Sequence, residues 1–83
     1  MMNNSVDINI IKSKILKLYN ENEPIHVTVN LKRRNVKNAL STIVGVYNNF
    51  FTVKSKVNLY EEEFSISFID ILIKNISISE LDS

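Results

Sequence analysis

The sequence predicts a small, mainly β domain: a five-stranded barrel preceded by one α-helix. Three observations carry this. Ile25, Val27, Val29 and Leu31 alternate with His26, Thr28 and Asn30, and Phe64, Ile66 and Phe68 alternate with Ser65 and Ser67. A period of two places one set on each face of a strand. Two apolar runs, Leu40 to Tyr47 and Phe50 to Val57, are joined by Asn48-Asn49 and read as a hairpin. Ile8, Ile11, Ile15 and Leu18 recur at spacings of three and four, which is one helical face.

Eighty-three residues make one domain. The expected helix covers about 6–19 and the barrel about 25–79. Ser5 can cap the helix, and Asp7 suits the positive end of its dipole. Lys12, Lys14 and Lys17 lie off the apolar stripe. The stripe either binds a membrane surface or a partner, or covers an open side of the barrel; a helix this short is marginal unless it packs, which favours cover. The run Asn20-Glu21-Asn22-Glu23-Pro24 ends it, since proline cannot continue the ladder.

Asn tolerates the left-handed conformation that a type I′ turn needs at both central positions. With Asn48-Asn49 as that turn, Tyr47 faces Phe50, Val46 faces Phe51 and Val44 faces Val53. Val44, Val46, Phe51 and Val53 then fall on the core face. Ile43, Gly45, Tyr47, Phe50, Thr52 and Lys54 fall on the other. That second face is half apolar, with a flat spot at Gly45. Either the helix or a second subunit covers it, or bases stack on Tyr47 and Phe50. Ser55 to Glu63 reads as a loop carrying Glu61-Glu62-Glu63. In the last third, alternation breaks at Ile69-Asp70-Ile71-Leu72 and resumes at Ile76-Ser77-Ile78. The break suits one helical turn in which the Asp70 carboxylate accepts backbone N–H bonds, and strand, turn, strand closes a small barrel.

Composition limits function. There is no cysteine, hence no disulfide framework, thiolate metal site or thiol nucleophile. The single histidine, His26, falls on a polar strand face with no second His to share a metal. No glycine loop cradles phosphate and no nucleophile elbow is present. A non-enzymatic protein needing no cofactor or metal is expected. The formal net charge of +1 means that an acidic partner is met by a local patch. Met1 to Ser5 has no basic n-region, and no run reaches membrane-spanning length, so a cytoplasmic protein without membrane contact is expected.

The dense positive patch is Lys32-Arg33-Arg34-Asn35-Val36-Lys37, read as a loop or frayed strand end. Lys32, Arg33, Arg34 and Lys37 suit phosphates or an acidic protein face, Arg being bidentate to either. The alternative is a solvated charged tip that discourages edge pairing. Glu61-Glu62-Glu63 with Asp70 suggest a hard-cation site by residue type, but consecutive residues converge poorly on one ion. A solvated acidic rim, able to attract the basic loop of a second copy into a homodimer, is the expected role.

The segment Ser65-Ile66-Ser67-Phe68-Ile69-Asp70-Ile71-Leu72-Ile73-Lys74 resembles a Ser-aromatic-Ser-aromatic-x-Asp-(Val/Ile)-Leu-x-Lys pattern of the Veg family, small bacterial stimulators of biofilm formation. Val27-Thr28-Val29 is similar to that family's Leu-Thr-Leu strand, Arg33-Arg34 to its Arg-Arg, and Val46-Tyr47 with Phe51 to the strand, turn and aromatic that follow. The resemblance runs from about Ile11 to Ile78. Ile66 replaces the first aromatic. Leu31 and Lys32 stand where a glycine pair usually precedes Arg-Arg, with one residue fewer. The resemblance implies an SH3-like barrel after a helix. It also implies a regulator that binds a protein partner and relieves a transcriptional repressor of biofilm-matrix genes. The competing expectation is RNA, DNA or ribosome binding through the same basic loop with nearby Tyr47 and Phe50.

Overall fold

The structure is a computed structural model that describes residues 4–32, 34–57 and 60–81. Helix α1 spans Asn4–Asn20. Five strands follow: β1 Ile25–Leu31, β2 Arg34–Val46, β3 Phe50–Val57, β4 Tyr60–Ser67 and β5 Ile76–Ile78. A short helix α2, Phe68–Leu72, joins β4 to β5, and a 3₁₀ turn covers Ser79–Leu81. All pairings are antiparallel, in one open sheet of order β4-β3-β2-β1-β5. The chain passes between the sheet's two edges through α2, not by pairing β4 with β5.

The apolar stripe of α1 lies where its spacing predicts. Ile15 is fully buried, and Ile8, Ile11 and Leu18 pack on the core formed by Ile25, Val27, Val29, Phe51, Val53 and others. The helix starts at Asn4, so Ser5 lies inside its first turn, not before it. It stops through a Schellman motif. Asn22 is left-handed at φ 56, its N–H donates to the Tyr19 carbonyl at 3.1 Å, and the Glu23 N–H donates to the Leu18 carbonyl at 3.0 Å. Pro24 therefore follows a helix that has already ended.

The β2–β3 register departs from expectation. Val46 pairs with Phe51, but Gly45 pairs with Thr52 and Ile43 with Val53, so Val44 is an extra residue in a β-bulge. Side chains beyond it change face. Ile43 is 5% exposed and in the core, whereas Val44 is 37% exposed. Neither Asn48 nor Asn49 has a positive φ, so the turn is not type I′. An unprimed turn splays its strands, and the bulge restores right-handed twist. Two hydroxyls buried side by side, Ser41 and Ser55, donate to the Ala39 and Leu40 carbonyls.

Three further expectations are corrected. Glu61, Glu62 and Glu63 lie within β4, not in a loop, opposite Lys56, Ser55 and Lys54. Phe68 opens α2 instead of ending a strand, and Ser67 Oγ accepts the Ile69 N–H at 3.2 Å, the capping role expected of Asp70. Leu31, expected inside, is exposed because β1 there runs past its β5 neighbour into the hairpin tip.

The bulge makes a direct forecast for urea unfolding. Ile43→Ala removes core volume and should cost about 2–4 kcal/mol. Val44→Ala removes half-exposed atoms and should cost under about 1 kcal/mol. The unbulged register gives the reverse order.

Candidate functional site

The residues singled out by sequence do not form one site. Lys32 lies in the tight turn between β1 and β2, where Leu31 pairs with Arg34, and Lys37 lies within β2; both are exposed. Arg33 lies outside the described residues, and Arg34 opens β2. Of the described cluster residues, Lys32 thus lies in a hairpin turn, while Arg34 and Lys37 belong to a strand. Tyr47 and Phe50 sit at the other end of β2. Its thirteen residues span roughly 40 Å of extended chain at about 3.3 Å each.

At the basic end β2 carries a second bulge. Val27 pairs with Ala39 and Val29 with Val36, so three β2 steps oppose two on β1. Asn38 takes the left-handed position at φ 48, its N–H donating to Thr28 Oγ1 at 3.1 Å. Glycine usually fills such a position; Asn is the next most tolerant residue. The bulge re-aims the strand at Lys37. Asn30 N–H donates to the Asn75 carbonyl at 2.8 Å, which ties the hairpin base to the residue after Lys74.

At the aromatic end Tyr47 N–H donates to the Phe50 carbonyl at 2.8 Å. The two rings stack at 4.9 Å with planes 28° apart. Tyr47 is 51% exposed and Phe50 39%, so α1 does not cover them. Gly45 is buried beneath Tyr47; a Cβ there would stand 2.8 Å from the Tyr47 hydroxyl. The flat spot is thus occupied by the chain's own ring. Lys12 Nζ reaches Asn48 Oδ1 at 3.3 Å and tethers α1 to the turn.

His26 is engaged structurally. Glu80 Oε1 accepts the His26 backbone N–H at 2.7 Å, and Oε2 lies 2.7 Å from Nδ1. This clamp holds the 3₁₀ turn against β1. Burial pushes the Glu80 carboxyl up, but the hydrogen bonds from the His26 ring and backbone, its own backbone hydrogen bond and the imidazole charge outweigh this. The net result is a carboxyl below its usual range. Nothing in the sequence pairs residues 54 positions apart, so the clamp was not readable there. Among the described residues no three His, Asp or Glu groups gather as a metal site. In β4, alternation sends Glu61 and Glu63 to one face and Glu62 to the other, so the acidic triplet cannot converge on one cation. Among the described residues no helix is long and apolar enough to cross a membrane.

The clamp has a defined pH signature. A carboxyl more acidic folded than unfolded contributes stability above its unfolded pKa, and loses it as pH falls through the folded value. Glu80→Gln should cost about 1 kcal/mol near neutral pH in this partly exposed pair. The cost should shrink as pH falls below the ordinary carboxylate range, measured by thermal unfolding across pH.

No family model, curated protein or solved structure matches the chain.

Proposed function

We propose that this chain is a non-enzymatic binding module of SH3-like type that acts in the cytoplasm by occupying a protein partner. Its mode is that of Veg-type regulators, which relieve a repressor of biofilm-matrix genes. The observation that carries the reading is the β1–β2 hairpin, which runs past β5 and presents Lys32 and Lys37 to solvent. A meander that turns once through α2 and returns β5 beside β1 supports the SH3-like label. Commitment of the single histidine to Glu80, in a chain without cysteine, supports action by occupancy. Exposed cations on a rigid hairpin suit carboxylates of an acidic protein face.

The second reading is RNA, DNA or ribosome binding by the same hairpin. The basic tip favours it, but the stacked aromatic pair stands at the opposite end of β2. A single strand could not meet cations and stacking rings at one place there, as single-strand binders arrange them.

Affinity capture from cell lysate, with wild type and a Lys32→Glu/Lys37→Glu variant, decides between them. The proposal expects a protein partner that survives nuclease and is lost with the variant. Enrichment of RNA or ribosomes supports the second reading and overturns the first. In that case affinity should fall with salt at a log–log slope of roughly −0.7 to −0.9 per phosphate neutralised.

A further inference from the structure

Helices α1 and α2 pack against each other and leave a hollow of about 200 Å³ between them. Ile10, Ile11, Ile71 and Leu72 line it, and Lys14 and Lys74 stand at its rim. Lys14 also borders adjoining hollows on both sides, one with Asn9 and Ser13, the other running to Glu21 and Glu80. The three hollows thus adjoin one another at Lys14 on α1.

Two features of the groove are costly for an isolated surface. Ile10, which lines the hollow, is 50% exposed, and Ile69 on α2 and Ile73 at its C-cap are 55% and 57% exposed. Aliphatic residues clustered at a cavity mouth mark a contact surface more often than scattered ones do. Lys74 is the second feature. It ends α2 in a Schellman motif, its N–H donating to the Ile71 carbonyl at 3.2 Å and the Asn75 N–H to the Asp70 carbonyl at 2.9 Å. That position requires the left-handed φ of 66, where glycine is free of strain and lysine is not. Strain kept at an exposed position points to use of the side chain. Here the side chain supplies the second cation at the rim. Glu21 and Glu80 line the neighbouring hollow, and Glu80 is held by His26.

We propose that the α1–α2 groove docks an acidic peptide segment of a partner protein. Aliphatic side chains of that segment seat on Ile10, Ile71 and Leu72, and carboxylates lie against Lys14 and Lys74. This rests on the reading of the chain as a protein-binding module, and names a second contact on it apart from the hairpin tip.

The test titrates the isotope-labelled full chain with a helical peptide of leucine, alanine and glutamate, and reads amide shifts and peptide anisotropy. The expected result is saturable binding, with shifts centred on Ile10, Lys14, Leu72 and Lys74. Lys14→Glu/Lys74→Glu should weaken it by roughly tenfold or more. Lys74→Gly should weaken binding while raising the melting temperature, because it relieves the left-handed strain. A glutamine-for-glutamate peptide, which leaves the protein untouched, should bind more weakly. Equal binding of the glutamine peptide, or an unchanged affinity in the double variant, overturns the groove assignment. Shifts centred on Lys32 and Lys37 overturn the groove but leave the module reading standing. No response to peptide, with hairpin shifts on adding a single-stranded oligonucleotide, overturns both.

Discussion

An open sheet has one face that must be taken out of water, and a thin 83-residue core leaves little to do it with. Here a single helical stripe does most of the covering. Ile15 reaches full burial among residues of β1, β3, β4 and β5, with Ile8, Ile11 and Leu18 beside it. The short helix α2 adds Phe68, whose ring meets that of Phe51 at 5.5 Å. Everything else depends on this arrangement. The helix fixes where α2 packs, and that contact creates the groove. The outer face, relieved of covering duty, leaves Tyr47, Phe50 and Leu40 in water.

The second constraint is a shortage of glycine. One glycine serves the whole chain, and it sits under Tyr47, not in a turn. Every left-handed position among the described residues is therefore filled by a side chain: Asn22 and Asn38, which tolerate it, and Lys74, which does not. The two asparagines end α1 and bulge β2 at small cost. The lysine is the exception, and it stands at the hollow between α1 and α2.

The helix and the β1 alternation were legible because each rests on a periodicity that packing confirms; the last third showed its strand, helical turn and strand, but β4 and β5 lie at opposite edges of an open sheet and do not close a barrel. The β2–β3 register was not. Ile43 and Val44 are both β-branched and apolar, so either fits the core, and a bulge that swaps them leaves no trace in the pattern. The Asn48-Asn49 signal correctly located the hairpin and the Val46–Phe51 pair but misstated the turn type; the faces change at the bulge, not at the turn. Lys32, Lys37, Tyr47 and Phe50 were found as exposed chemistry. Their separation along β2 was hidden because the part of the basic cluster read as a loop or frayed strand end opens a thirteen-residue strand. Glu80 and Lys74 went unassigned for different reasons: one partner is distant in sequence, and the other matters through its backbone conformation.

Urea unfolding of Ile15→Ala, followed by far-ultraviolet dichroism and by tyrosine fluorescence, tests the central role of α1 most directly. If the stripe seals the sheet, the substitution costs about 2–5 kcal/mol and both probes report one shared transition. A cost below about 1 kcal/mol, or a helix signal that melts ahead of an intact sheet, would mean that the sheet holds its core without the helix, and the account would be wrong at its base.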